Sequence, residues 1–136
     1  MKTLIGKEYK FEAGHHLWDK EMGAEQNRET FGKCVDKHGH SYTFVVEVEG
    51  PVKDGMVMNY YAIDEIVDPI ADYLDHTILN ELPEFKGVLT TAEKIAELIF
   101  TTIRDEMGLD SRQLPAVRLI SVTVRETVKT FARVEA

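Results

Sequence analysis

The chain has 136 residues, an apolar fraction of 43% and a formal net charge of −8. These values predict one domain, spanning residues 1–136, with a single core. The negative charge argues against general nucleic-acid binding, which needs a basic face, and no apolar run is long enough to cross a bilayer. The lone cysteine, Cys34, excludes an internal disulfide, and a free thiol without a secretion signal predicts a cytoplasmic protein.

The first predicted element is an amphipathic strand over residues 5–17. Apolar and charged residues alternate along it, and successive side chains of a strand point to opposite faces of the sheet. His15 falls on the apolar face and His16 on the other. We therefore predict that the imidazole of His15 points toward the core.

A long polar loop is predicted over residues 18–33, because charged and amide side chains dominate this stretch and two glycines interrupt it. Loops of this length inside compact domains are uncommon, and they often line a site. The segment is therefore either a lid over a substrate or a solvated insertion.

The segment Cys-Val-Asp-Lys-His-Gly-His-Ser-Tyr, residues 34–42, leads into a second predicted strand. His38 and His40 share one face of that strand, which apolar residues continue as far as Val48. With His15 they make three inward histidines on two strands. Three histidine ligands with an open fourth position are an arrangement found in catalytic zinc sites. The alternative is that each histidine is a hydrogen-bonded core residue.

A helix is predicted from about Tyr60 to Leu74, because apolar residues recur there at helical spacing. Asn59 is a suitable N-cap, and Pro69 should kink the helix. Asp75 and His76 follow directly. A carboxylate beside an imidazole can orient it for proton transfer, although such a pair at a helix end can also be a cap or a surface contact.

The last third of the chain predicts a second helix and two strands. Thr90 and Glu93 have the spacing of a capping box at the start of the helix. After a polar connection over residues 110–115, β-branched residues predict a strand over 118–124, and a short final strand is predicted over 131–134. The predicted order is strand, strand, helix, helix, strand, strand.

Glu126 continues the apolar face of the third predicted strand. A carboxylate in such a position is costly unless it meets a partner or its pKa shifts. Glu126 therefore lies at the wet end of the strand or accepts hydrogen bonds from a ligand rich in donors.

These pieces together resemble the family of 6-pyruvoyltetrahydropterin and 6-carboxytetrahydropterin synthases, which have the tunnelling fold. The matching segments are Phe-Glu-Ala-Gly-His-His-Leu (11–17), residues 34–42, Gly-Met-Val-Met (55–58), Leu-Asp-His (74–76) with Leu-Asn (79–80), Thr-Ala-Glu (91–93) and Val-Arg-Glu-Thr (124–127). They cover nearly the whole chain in family order. The resemblance implies an α+β fold in the order ββααββ, with a four-stranded antiparallel sheet and two helices packed on one of its faces.

The resemblance also implies a zinc-dependent active site. The implied zinc ligands are His15, His38 and His40. The metal would hold and acidify the hydroxyl-bearing side chain of a dihydropterin. Cys34 would move protons on that side chain, working with Asp75 and His76 of a neighbouring subunit.

Two further residues match positions that bind the pterin in the family. Glu126 would anchor the guanidine-like edge, and Thr91 would contact the ring. Family members assemble as hexamers of two stacked trimers whose sheets close into a barrel, so active sites would lie at subunit interfaces. The open edges of a four-stranded sheet make such closure physically reasonable.

The spacing between Cys34 and His38 bears on the product. Three residues separate them, as in family members that make the carboxy product, whereas the pyruvoyl-forming animal type has more. The chain thus resembles the lyase of the queuosine (7-deazaguanine) pathway, which converts 7,8-dihydroneopterin triphosphate to 6-carboxytetrahydropterin, acetaldehyde and triphosphate. For the triphosphate, the basic residues nearest the motif are Arg28, Lys33 and Lys37.

The chain departs from the family pattern at three places. Asn59-Tyr60 stands where the family has Asp-Phe, the loop over residues 18–33 is long, and Thr90 replaces a frequent proline. Three other interpretations stay open. The chain could be a 6-pyruvoyltetrahydropterin synthase, a pterin-binding module without catalysis, or a structural zinc domain in which Cys34 is the fourth ligand.

Overall fold

The computed structural model describes residues 1–109 and 116–136, which form a mixed five-stranded sheet with three α-helices. The strands are β1 (Thr3–His15), β2 (His38–Gly50), β3 (Thr77–Ile78), β4 (Arg118–Thr127) and β5 (Thr130–Glu135). The helices are α1 (Ala24–Phe31), α2 (Tyr60–Leu74) and α3 (Ala92–Leu109). The strand order in the sheet is β3-β1-β2-β4-β5. The connection predicted over residues 110–115 lies outside the described residues.

The antiparallel pair of β1 and β2 is the centre of the fold. It runs from Thr3 opposite Gly50 to His15 opposite His38. The alternation seen in the sequence places aromatic side chains of both strands in the core, where the rings of Phe11 and Tyr42 stack with their centroids 4.8 Å apart. Because His15 and His38 face each other at the end of this pair, the register brings their imidazoles together.

Helices α2 and α3 pack their apolar stripes against the core face of the sheet. Asn59 caps α2 as predicted, since its Oδ1 accepts a hydrogen bond from the Tyr61 N–H at 2.9 Å. The capping-box prediction for α3 is wrong in its residue: the Lys94 N–H donates to Thr91 Oγ1 at 3.3 Å, while Thr90 is buried and bonded elsewhere. Among the described residues, no helix has the length and apolar character that crossing a membrane requires.

The predicted four-stranded antiparallel sheet in the order ββααββ is wrong in detail. A fifth strand, β3, pairs in parallel with β1, with Ala13 opposite Thr77 and Gly14 opposite Ile78. The observed order is therefore βαβαβαββ. A strand of two residues shows no alternation of apolar and polar side chains, so the sequence pattern does not reveal it.

The predicted loop over residues 18–33 contains the helix α1, which is the second correction to the expected fold. Asn27 is the buried residue of α1. Its side-chain amide donates to the carbonyls of Asp19, Met22 and Gly23 at 2.9, 3.2 and 3.1 Å, and its Oδ1 accepts from the Asp19 N–H at 2.7 Å. Because an amide rather than an apolar stripe anchors this helix, hydrophobic periodicity does not predict it.

Candidate metal centre and active site

Three histidines converge where β1 ends and β2 begins. Each offers one nitrogen, and the nitrogens of His15, His38 and His40 all lie within 4.8 Å of one another. The ring centroids are 4.5 Å apart for His15 and His38, 5.2 Å for His15 and His40, and 4.9 Å for His38 and His40. The side-chain parity of two strands thus brings together the three imidazoles that the sequence singles out.

Backbone carbonyls determine which ring nitrogen carries the proton in two of these histidines. Nδ1 of His15 lies 2.7 Å from the carbonyl oxygen of Thr90, and Nδ1 of His38 lies 2.7 Å from that of Asp36. Since a carbonyl oxygen only accepts, each Nδ1 must donate. The lone pair of each neutral ring is therefore on Nε2. Metal-binding histidines are oriented by hydrogen bonds of this kind.

The free nitrogens fit a metal ion. Nε2 of His15 and of His40 are buried and have no hydrogen-bond partner among the described residues. Burial lowers the pKa of His15 to about 4, and it also lowers the pKa of His40, so both rings are neutral at pH 7. A buried lone pair without a partner is costly. A divalent cation of the zinc type, which prefers imidazole ligands, would supply that partner.

Cys34 is exposed and lies in a short 3₁₀ turn, Gly32–Val35, between α1 and β2. Its carbonyl accepts the Leu17 N–H at 2.7 Å, which holds the turn against the chain that follows β1. The thiol does not belong to the cluster of potential ligand atoms, so within the described residues the cluster offers three possible protein ligands. A closed structural zinc site would have four. The geometry therefore argues against a structural zinc domain with Cys34 as a ligand.

Asp75 and His76 form a dyad immediately after α2. Nδ1 of His76 lies 2.7 Å from Oδ2 of Asp75, whose Oδ1 accepts the backbone N–H of Glu12 at 2.7 Å. These two contacts, with the Glu12 N–H as the larger cause, lower the pKa of the Asp75 carboxyl. The carboxylate therefore remains ionised and orients the ring of His76.

The backbone at His76 is in an unusual conformation. Its φ is +57°, in the left-handed region that non-glycine residues rarely adopt. A hydrogen bond of 2.6 Å from the His76 N–H to the Glu12 carbonyl holds it there. Such conformations cluster at functional sites. Among the described residues no hydrogen bond joins this dyad to Cys34, so one chain does not assemble the three candidate proton-transfer groups through direct contacts.

Glu126 lies beside the histidine cluster rather than at a fully solvent-exposed strand end. Its Oε1 is 3.9 Å from Nε2 of His15, too far for a hydrogen bond, and its side chain is 26% exposed. Burial raises the pKa of Glu126. The buried hydroxyl of Tyr42 has no partner among the described residues, and burial followed by the Glu126 charge raises its pKa. One partly buried carboxylate and one buried hydroxyl without a partner among the described residues thus lie next to the histidine cluster.

Thr90 and Asn80 hold the chain at His15 and His16, a role that sequence reasoning did not assign to either residue. In addition to its carbonyl, Thr90 places its hydroxyl 3.2 Å from Nδ1 of His15 and 3.3 Å from the carbonyl oxygen of His16. The side chain of Asn80 hydrogen-bonds twice to the backbone of His16. It accepts from the His16 N–H at 3.0 Å and donates to the His16 carbonyl at 2.8 Å. Thr91, whose predicted role is ring contact, caps α3 next to Thr90. The sequence analysis had assigned Thr90 to a helix cap. It had included Asn80 in a segment that matches the family, but had given it no role.

Comparison with known proteins identifies the family. The family model described as 6-pyruvoyl tetrahydropterin synthase matches residues 4–136, and this chain belongs to that family. The chain is 36% identical over 111 residues to the 6-pyruvoyl tetrahydrobiopterin synthase of Dictyostelium discoideum, covering 76% of this chain and 82% of that protein. It is 33% identical over 132 residues to the Homo sapiens enzyme of the same name, covering 93% and 86%.

A relative with the other product name and a solved structure are also similar. The 6-carboxy-5,6,7,8-tetrahydropterin synthase of Aquifex aeolicus is 29% identical over 161 residues, covering 97% of each chain. The solved structure of Caenorhabditis elegans 6-pyruvoyl tetrahydropterin synthase superimposes with a TM-score of 0.88 at 27% identity, covering 100% of this chain and 96% of that one. The fold described above is therefore the fold of this family.

Proposed function

We propose that this protein is a zinc-dependent lyase that converts 7,8-dihydroneopterin triphosphate to 6-carboxy-5,6,7,8-tetrahydropterin, acetaldehyde and triphosphate. The observation that carries the proposal is the cluster of three histidines, two of them with buried unpaired nitrogens, beside the carboxylate of Glu126. The substrate has a guanidine-like edge at one end and a hydroxylated side chain at the other. The guanidine-like edge needs paired hydrogen-bond acceptors, which the carboxylate of Glu126 would supply. The hydroxylated side chain needs a Lewis acid, which a metal ion held by the three histidines would supply.

The three imidazoles would hold the metal, with His15 and His38 kept in the ligand tautomer by the Thr90 and Asp36 carbonyls. When bound, zinc supplies the Lewis acidity that lowers the pKa of the substrate hydroxyl. Three protein ligands leave a coordination position for that hydroxyl.

Glu126 would bind the pterin. A carboxylate that accepts two parallel N–H groups makes a strong and oriented pair. Burial raises the pKa of Glu126 in the free protein. Hydrogen bonds from the N–H groups of a bound pterin would favour the ionised carboxylate and so oppose that shift. Thr91 would contact the pterin ring. It is partly buried at the start of α3 and directly follows Thr90, the residue that bonds His15.

Proton transfer falls to Cys34, Asp75 and His76. The thiol is exposed, and Asp75 orients the His76 ring while leaving its Nε2 free to exchange a proton. We propose that Cys34 of one subunit works with the dyad of a neighbour in a hexamer. Among residues 1–109 and 116–136, the sheet ends at β3 on one edge and at β5 on the other, and the side chain of His76, next to β3, is 80% exposed.

Complementation tests this shared site. Cys34→Ala and His76→Ala should each be inactive alone, whereas subunits mixed by unfolding and refolding together should regain turnover, because some interfaces then combine two intact halves. Separately refolded variants mixed only afterwards are the control. Activity that never returns in mixed assemblies would contradict a site built from two subunits.

The product is the finer part of the proposal. The three-residue spacing between Cys34 and His38 favours the carboxy product. A second candidate, 6-pyruvoyltetrahydropterin synthase, is supported by the names of the relatives at 36% and 33% identity, against 29% for the relative named for the carboxy product.

One assay decides between the products. Zinc-loaded protein is incubated with 7,8-dihydroneopterin triphosphate, the pterin products are identified by mass, and acetaldehyde is followed in a coupled assay, beside Cys34→Ala. Acetaldehyde with the carboxy product, absent in the variant, is the expected result. The pyruvoyl product would establish the second candidate. Absence of turnover with zinc and pterin bound would contradict the enzyme proposal for this substrate and favour a binding module.

A further inference from the structure

A pocket lined by three lysines lies next to the chain segments that carry His15 and Thr90. Its volume is about 610 Å³, within the range of small-molecule sites. Lys20 reaches it from the chain after β1, Lys86 from the turn before Thr90, and Lys94 from the first turn of α3. In a protein of net charge −8, three lysines and one carboxylate, that of Asp19, line this cavity, so the formal charge of its lining is opposite in sign to that of the protein as a whole.

The wall of this lysine pocket is the backbone that positions His15. His16, which follows His15, and Leu89, which precedes Thr90, both line it. Asn80 lines it as well and holds the backbone of His16 from both sides. Along the chain, the pocket wall therefore lies one residue from His15 and from its carbonyl partner, so the lysine pocket is adjacent to the histidine cluster.

We propose that Lys20, Lys86 and Lys94 bind the triphosphate tail of the substrate. The inference rests on the proposed function, because the substrate carries its triphosphate at the far end of the hydroxylated side chain that the metal would hold. A triphosphate has several anionic oxygens and is stabilised by several ammonium donors at once. The pocket wall also holds one carboxylate, that of Asp19, whose Oδ1 accepts the Glu21 N–H at 2.9 Å. The three lysines outnumber this single negative charge.

The lysines are available to such a ligand. Lys94 pairs with Glu97 at 2.9 Å, but both side chains are about half exposed, at 48% and 52%. Exposed pairs of this kind contribute little, so the ammonium can exchange Glu97 for phosphate. Arg28, near the cysteine motif, also makes an exposed pair, with Asp36 at 3.1 Å, but it does not line the lysine pocket.

The test is the triple variant Lys20→Gln/Lys86→Gln/Lys94→Gln. The zinc-loaded protein is titrated with inorganic tripolyphosphate by calorimetry, with the zinc content checked after each titration, and KM and kcat are measured for 7,8-dihydroneopterin triphosphate. Tripolyphosphate should inhibit the wild type competitively. In the variant we expect its binding to weaken at least about tenfold and KM to rise by a similar factor, with kcat changed less than about threefold, since charge-assisted contacts are lost away from the reacting atoms.

A matched control removes the same charge elsewhere. Lys2, Lys53 and Lys129 are exposed and lie outside the lysine pocket, so Lys2→Gln/Lys53→Gln/Lys129→Gln should bind tripolyphosphate like the wild type at moderate ionic strength, where distant surface charges are screened. All six lysines are exposed, and circular dichroism verifies that both variants fold.

Several outcomes would overturn the inference. One is equal binding of tripolyphosphate by the two triple variants. Another is weaker binding in Lys33→Gln/Lys37→Gln while the pocket variant binds like the wild type. The third is a fall in kcat of the pocket variant without a rise in its KM. The proposed function can fail separately: if the wild type does not turn over the substrate, selective loss of tripolyphosphate binding in the pocket variant still establishes the anion site.

Discussion

His15 and His76 are both candidate functional imidazoles, and their surroundings differ in two ways. The side chain of His15 is 2% exposed, whereas that of His76 is 80% exposed. Nδ1 of His15 meets the neutral carbonyl of Thr90, whereas Nδ1 of His76 meets the Asp75 carboxylate. Burial keeps the His15 ring uncharged and suits it to bind metal, whereas the His76 ring is oriented by a carboxylate and is accessible to solvent. The same type of side chain thus lies in two different environments, which fit the two roles proposed for these residues.

The largest expected effect comes from removing a buried ring. His15→Ala should reduce bound zinc to background and abolish turnover, because two imidazoles remain where the site needs three ligands. Zinc content is measured by mass spectrometry after gel filtration. His76→Ala is the matched control, which should keep its zinc and lose activity. A His15→Ala protein that binds zinc like the wild type would contradict the proposed centre.

The exposed dyad should affect catalysis without affecting the metal. Asp75→Asn keeps the shape of the side chain but removes the negative charge that orients the His76 ring. We expect kcat to fall roughly 10²- to 10⁴-fold, the usual range for general acid–base groups, with unchanged zinc content. Steady-state kinetics with metal analysis on the same sample measure both. An undiminished kcat would show that the dyad is a helix-end contact only.

A smaller effect is expected at the support of the buried ring. Thr90→Val removes the hydroxyl near Nδ1 of His15 and retains the backbone carbonyl that accepts its proton. Zinc affinity should therefore fall by about tenfold, at the low end for residues behind a metal ligand. Competition with a chelator measures it. Thr102→Val is the control, since that hydroxyl bonds to the Leu98 carbonyl within α3 and should not alter zinc affinity.

The smallest effect lies outside both histidine sites. Asp64 accepts hydrogen bonds from Lys7 at 2.6 Å and Tyr9 at 2.8 Å, and these contacts lower the pKa of its carboxyl. A depressed pKa adds stability above the pKa of the unfolded chain, about 4, and the contribution disappears as pH falls through the folded value. Asp64→Asn should lower the free energy of unfolding by at most about 1 kcal/mol at pH 7.

Urea unfolding at several pH values measures this term. The gap between wild type and Asp64→Asn should narrow as the pH is lowered below about 4, because the wild-type carboxyl is then protonated as well. Both proteins should bind zinc equally at pH 7. A gap that stays constant down to acid pH would mean that the charge of Asp64 contributes nothing.

Sequence alone determined the features that repeat with short periods. Alternation along β1 and β2 assigned His15, His38 and His40 to one side, and their clustering confirms that prediction. Helical spacing located α2 and α3, and Asn59 was correctly assigned as a cap. Each of these depends on neighbours within a few positions, so a local pattern carries the information.

Only the tertiary structure decided the contacts between distant segments. Thr90 holds His15 across 75 positions, and Asn80 holds His16 across 64. Strand β3 exists because β1 offers it an edge, and α1 is anchored by one buried amide, that of Asn27. The lysine pocket likewise collects side chains from three separate segments. Single hydrogen bonds and charges between remote residues leave no periodic trace in a sequence, whereas alternating burial does. This is why the histidine cluster was predictable and the contacts that support it were not.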